Sequence, residues 1–242
     1  SCAHAARLVA ISESGRRDIH RHFGVPLERI DVVTPGVDDC YHPLPTDQVA
    51  AFRQEKGLPD TFILHVGTLQ PRKNIPTLLD ALARLERPDV ALVLVGGRGW
   101  IYEEIFARVQ ALGLADRVRF PGYVADEELP LWYNAAAVLA FPSFYEGFGM
   151  PVADALACGT PVVAAATSSI PEAGGDVALY FEPRDADELA ERLRQALDDP
   201  GVRSNARAAG PIHAARFSWA RSGAEMAAAY ERAAAEPARS MV

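Results

Sequence analysis

The sequence predicts a doubly wound α/β fold built on a parallel sheet, and three observations carry that prediction. Short apolar runs at residues 62–66, 91–95, 138–141 and 162–165 are continuous rather than alternating, as strands covered on both faces must be. Segments with apolar residues at helical spacing lie between them, residues 75–85 most clearly. The regular alternation of the two implies crossover connections, and hence parallel strands with helices on both faces.

Taken in order, residues 8–11 form a strand-like run. Ser12 or Ser14 caps the polar helix that follows, and Gly24 stops it after Phe23. A β-branched run at 30–34 ends abruptly at Pro35-Gly36. Residues 38–45, acidic and aromatic with Pro43 and Pro45, read as a linker beside a domain boundary. A helix over 46–56 closes at Gly57. The alternation then runs strand 62–66, helix 75–85, strand 91–95 and helix 101–112, ended by Gly113. A short strand at 118–120, a helix near 127–133 and a strand at 138–141 follow. Next come a helix over 151–157 stopped by Gly159, strands at 162–165 and 179–181, and a helix capped by Asp185 that runs to Leu197. Everything after Pro200 carries helical signal.

Composition excludes several classes. The chain has 242 residues, 49% of them apolar, enough for one or two packed domains and too apolar for a disordered chain. No apolar run approaches the roughly 18 residues of a membrane-spanning helix. A net charge of −8 argues against a nucleic-acid surface. Cys2, Cys40 and Cys158 are odd in number and widely spaced, which fits neither a disulfide framework nor a zinc site and suits a reducing, cytoplasmic compartment. The first residues do not form a secretory signal. They also lack a starting Met, so the chain is expected to be part of a longer one.

Two loops stand out, because ligands of open α/β sheets bind beyond the carboxyl ends of the strands. In the first, Gly67-Thr68-Leu69-Gln70-Pro71-Arg72-Lys73-Asn74, glycine admits a close approach to the backbone. Arg72 and Lys73 sit beside a helix N-terminus, an arrangement that favours an anion. In the second, Glu146-Gly147-Phe148-Gly149-Met150-Pro151 leads into a helix with exposed amides. Glu146, and Asp154 eight residues later, would repel phosphate there but can accept hydrogen bonds from hydroxyl groups, as sugar-binding sites require. Asp185-Ala186-Asp187 reads as a capped helix start rather than a metal signature. His20 and His22 have poor metal spacing, and His65 reads as a core histidine. Gly97-Arg98-Gly99 lacks the third glycine of a dinucleotide fingerprint. A glycosidase using Glu146 and Asp154 would have no use for the phosphate-binding features around them.

Tyr145-Glu146-Gly147-Phe148-Gly149-Met150-Pro151, followed by Ala157-Cys158-Gly159-Thr160-Pro161, resembles the retaining GT-B glycosyltransferases of family four. So does the stretch from Val66 to Asn74, in a form common among mannosyltransferase-like members. Ser168-Ser169-Ile170-Pro171-Glu172 and Phe217-Ser218-Trp219 look like later landmarks of the family. The resemblance implies three parts. Residues 1–45 would be the end of an N-terminal acceptor domain and its linker. Residues 46–200 would form a Rossmann-like domain for a nucleotide-sugar donor, and residues 201–242 C-terminal helices. By the same resemblance, most of the acceptor domain, through which any peripheral membrane association would act, is expected to lie outside this sequence.

The resemblance also implies site roles. Lys73 and Arg72 would hold the donor diphosphate, although Thr68 stands where many members carry arginine. Glu146 would meet sugar hydroxyls. The amides of Phe148 and Gly149, flanked by Gly147 and Met150, would contact sugar or phosphate. Asp154, in place of the family's glutamate, would take the ribose. Tyr123 and Val124 would line the base, with Gly67 and Gly96 close to the donor. The implied reaction transfers mannose or a similar hexose, with GDP-mannose the favoured donor, and retains configuration. Arg72, Lys73 and Glu146 would carry the catalytic roles, with no metal or cofactor. The alternative is a non-catalytic module that binds a nucleotide sugar or docks a partner domain.

Overall fold

Runs that are apolar on both faces can be buried only inside a covered sheet, and in the computed structural model four of them form the middle of one six-stranded sheet, between two less buried edge strands. The structure describes residues 5–100 and 102–235. The strands are β3 (Thr61–Val66), β4 (Val90–Val95), β5 (Val118–Gly122), β6 (Val138–Phe141), β7 (Val162–Ala165) and β8 (Leu179–Phe181). All pair in parallel, in the order β5-β4-β3-β6-β7-β8. Every residue of β4, β6 and β7 is buried. A smaller parallel pair joins β1 (Leu8–Ala10) to β2 (Ile30–Val32) through α1 (Glu13–Phe23).

Helices cover both faces of the large sheet. On one side α3 (Ile75–Arg84) packs against α4 (Glu103–Ala111) and α8 (Ala186–Asp198). On the other, α5 (Leu129–Ala135) packs against α2 (Thr46–Glu55) and α6 (Met150–Ala157). The tail is helical as expected, with α9 (Pro200–Ala214) against α6 and then α10 (Trp219–Ala235).

Differences from the sequence reading are local. Ser12, not Ser14, caps α1, its hydroxyl accepting from the Gly15 amide at 3.0 Å. β2 stops at Val32, and β5 runs on to Gly122. α4 starts at Glu103, and Ile101, the expected first residue, lies outside the described residues, as does Cys2. A 3₁₀ turn at Asp126–Glu128 precedes α5. A short helix, α7 (Ile170–Gly174), was not expected, because five residues are too few to show helical periodicity.

The tail returns to the small sheet. Gly36 is required where it passes, since a Cβ there would lie 2.3 Å from the Trp219 amide nitrogen. Arg232 of α10 reaches Asp31 at 2.9 Å, and Arg7 meets the same carboxylate at 2.6 Å. The Arg7 hydrogen bond leads the effects that hold Asp31 below its ordinary 3.8. Its contribution to stability is therefore present above that value and lost as pH falls through the lowered one. Asp31→Asn is expected to cost about 1 kcal/mol at neutral pH. Urea titrations at pH 7 and at about pH 3 should show the difference shrinking in acid.

Candidate functional site

The strand order reverses between β3 and β6, and a crevice opens beyond their carboxyl ends, where doubly wound sheets place ligands. Two glycines shape its floor. Gly67 has φ 151°, and a Cβ there would press on the Lys73 stem, with Cε at 3.0 Å. Gly96 has φ 144°, and a Cβ there would lie 2.1 Å from the Gly67 carbonyl oxygen. Backbone hydrogen bonds tie these strand ends together, Gly67 N–H to Val95 O and Gly96 N–H to Gly122 O, both at 2.9 Å. The result is a cavity of about 180 Å³ that brings together Gly67, Thr68, Gly96, Tyr123 and Val124, five residues singled out from the sequence.

On the other side of Gly67 lies a compact ionic cluster. A 3₁₀ turn, Pro71–Lys73, leads to Asn74 in the left-handed region, and α3 starts after it. The Asn74 amide donates to the carbonyls of Pro142 at 3.0 Å and Pro183 at 2.7 Å, pinning the ends of β6 and β8 to this turn. Lys73 Nζ lies 2.7 Å from Glu146 Oε1, and Arg72 Nη1 lies 2.6 Å from Glu146 Oε2. Lys73 also sits over the Phe141 ring, 4.9 Å from its centroid. Burial pushes the Lys73 ammonium below its ordinary value, against the pull of Glu146. Burial alone would raise the Glu146 carboxyl, but the Lys73 charge and hydrogen bonds from both cations hold it low. The carboxylate read as a hydroxyl acceptor is thus also the anion that balances these cations inside the protein.

Glu146 is held from behind as well. Its amide donates to Ser168 Oγ at 3.0 Å, and its carbonyl accepts from Ser169 Oγ at 2.8 Å. The sequence reading assigned no role to Asn74, Ser168 or Ser169, although each lies within a quoted motif; the signal was the motif string rather than any charge pattern. α6 begins at Met150 behind Gly149, which has φ 114°, and no side chain caps it. Pro151 has no N–H and the Val152 amide donates to the Gly149 carbonyl at 2.9 Å, so an anion here would be met by the amides of the 148–150 turn. Phe148 turns its ring inward against Phe217, with centroids 5.1 Å apart, so only its backbone can face the crevice.

Asp154 sits apart from the cavity. It is buried, and its Oδ1 has no partner among the described residues. Its charge is felt by Cys40, Tyr41, Tyr133 and Cys158, on the linker, α5 and its own helix. Burial, then Asp38, raises its carboxyl to about 7.

Asp185 caps α8 through the amides of Asp187 and Glu188, as read from the sequence. His65 is fully buried; its Nδ1 meets the Ala140 carbonyl at 3.1 Å, and burial lowers it to about 4. It is thus a neutral core residue, and its Nε2 has no partner among the described residues.

The all-parallel sheet, its reversal at β3 and β6 and the helical tail define the C-terminal half of a GT-B fold. The chain belongs to the family described as Glycosyl transferases group 1, which it matches over residues 48–213. It is 36% identical over 219 residues to O-antigen chain mannosyltransferase B of Escherichia coli, covering 89% of this chain and 58% of that protein. It is 35% identical over 243 residues to the D-inositol 3-phosphate glycosyltransferase of Streptomyces bingchenggensis, covering 95% and 53%. The crystal structure of Anabaena HepE in complex with UDP and glucose superposes with a TM-score of 0.85 at 28% identity, covering 94% of this chain and 63% of that one. The chain therefore spans little more than half the length of the curated relatives. No helix among the described residues is long and apolar enough to cross a membrane.

Proposed function

We propose that this chain supplies the donor site of a retaining hexosyltransferase that takes mannose or a similar sugar from a nucleoside diphosphate, with GDP-mannose favoured. The observation that carries this reading is the Arg72–Lys73–Glu146 cluster beside the glycine-floored cavity, in a chain of this family. The base lies against Tyr123 and Val124, and the diphosphate runs past Gly67 and Gly96 to Lys73, Arg72 and the amides of Phe148 and Gly149. As the sugar–phosphate bond breaks, negative charge grows on the departing oxygen. Preorganised cations and amides stabilise it there without reorganisation. Glu146 accepts from the sugar hydroxyls and keeps Lys73 charged. The leaving phosphate takes the acceptor's proton, so no protein nucleophile is needed. Asp154 is kept as the ribose acceptor on its sequence position alone, since its carboxyl is buried apart from the cavity.

The acceptor is held by an N-terminal domain, and any membrane contact is made there. The chain works in the cytoplasm, where Cys40 and Cys158 stay reduced. Calorimetric titration with GDP-mannose, UDP-glucose, GDP and guanosine tests the reading. The expected order is GDP-mannose and GDP well ahead of guanosine. Tighter binding of the uridine donor would overturn the choice of GDP, and no binding of any nucleotide sugar would overturn the donor site.

A further inference from the structure

Glu172 of α7 has no part in the chemistry above, yet it bridges distant segments. Its Oε2 accepts the amide of Glu13 at 2.8 Å, and its Oε1 accepts the amide of Ser14 at 2.7 Å. These are the first two N–H groups of α1, which the helix itself cannot satisfy. The next, Gly15, goes to Ser12 Oγ at 3.0 Å. The cap of α1 is therefore divided, with one acceptor from its own segment and two from the far side of the crevice. The carboxylate also lies at the positive end of the helix, with Arg17 at 3.9 Å.

Two other contacts cross at the same place. Tyr145 Oη donates to Asp18 Oδ2 at 2.9 Å. A Cβ at Gly147 would lie 3.0 Å from Ile11 Cδ1, so Ile11 rests against the turn that follows Glu146.

We propose that Glu172 is a positioning residue: it seats the β1–α1–β2 unit against the 146–149 turn, so that both units wall the sugar end of the site. The seating stands on the contacts alone, and its effect on ligands rests on the donor reading above. Two amides need two accepting oxygens, which a carboxylate supplies with full charge. Glutamine offers one such oxygen, and alanine none. When the unit is seated, Ile11 and Asp18 brace the exposed turn at Gly147 and Tyr145, so the backbone that meets the sugar is ordered before the sugar arrives. Affinity for the sugar part of a donor therefore depends on a residue that touches no donor.

The test compares the 242-residue chain with Glu172→Gln and Glu172→Ala, by NMR amide exchange and by calorimetry with GDP and GDP-mannose. Exchange at Glu13 and Ser14 is expected to rise about 10–100-fold in the alanine variant and less in the glutamine variant, the range that loss of charge-assisted hydrogen bonds allows. Amides of β3 and β6 should keep their protection. GDP-mannose affinity is expected to fall about 5–10-fold in the alanine variant, with partial rescue by glutamine, while GDP changes less than about twofold. Unchanged exchange at Glu13 and Ser14 would overturn the seating. Raised exchange with unchanged GDP-mannose affinity would overturn the positioning role. If the unaltered chain binds neither nucleotide, the donor reading and the affinity claim both fall, and the exchange arm still decides the seating.

Discussion

Asp154→Asn is expected to stabilise the protein at and above neutral pH while leaving it little changed near pH 4. The carboxyl is buried, unpartnered at Oδ1 and repelled by Asp38, so its folded value stands near 7 against an ordinary 3.8. A raised carboxyl binds its proton more tightly folded than unfolded. That contribution is complete below the unfolded value and is lost as pH rises through the folded one. At about 1.4 kcal/mol per unit, the loss is at most on the order of 4 kcal/mol between pH 4 and 8. Asparagine carries no proton to lose, so its stability should not follow this slope. Urea midpoints at pH 4, 6 and 8 would read the difference directly. Parallel pH profiles would show that the Asp154 carboxyl is solvated or paired in solution. No other carboxyl among the described residues has both a buried oxygen without a partner and a value raised toward neutrality.

The large sheet was legible because its signal is redundant. Each buried strand repeats one pattern, and each following helix has its own periodicity and stop residue. Elements that failed this test were also the ones misread. α7 has five residues, too few for a period, and the last residues of β5 are Pro121-Gly122, which look like a turn. The site divides in the same way. Gly67, Arg72, Lys73 and Glu146 could be found because glycine and charge beside a helix start are unusual and have a physical reading. That Glu146 would neutralise both cations could not be found, because 73 residues separate it from Lys73 and only the closure of β3 against β6 brings them together. Glu172 illustrates the same limit. Its sequence neighbours gave no helix to place it on, and its function in capping α1 depends on a contact across 158 residues.

Lys73→Met is expected to lower affinity for GDP and GDP-mannose about 10–150-fold while changing guanosine binding less than about threefold, the range of one charge-assisted hydrogen bond. Methionine is chosen because the lysine stem crosses Gly67 and packs there, so truncation to alanine would add a cavity to the loss of charge. The two cations are not equivalent. Arg72 has a side chain 38% exposed and can swing out to a ligand, whereas Lys73, at 9%, is committed to the crevice. An incoming diphosphate must compete with Glu146 for both. It brings more charge than one carboxylate and reaches Arg72 without breaking the Lys73–Glu146 contact, so Lys73 can serve both anions at once. Removing it leaves Glu146 buried against Arg72 alone and withdraws the charge that chiefly offsets its burial, so the carboxyl should titrate higher. The loss of GDP affinity in Lys73→Met should therefore shrink as pH falls from 8 toward 5, because the protonated fraction of Glu146, which no longer competes for Arg72, grows. Calorimetry at both pH values checks this, in low and in physiological salt. Equal losses for GDP and guanosine would remove Lys73 from the diphosphate site, and a loss independent of pH would remove Glu146 from the competition.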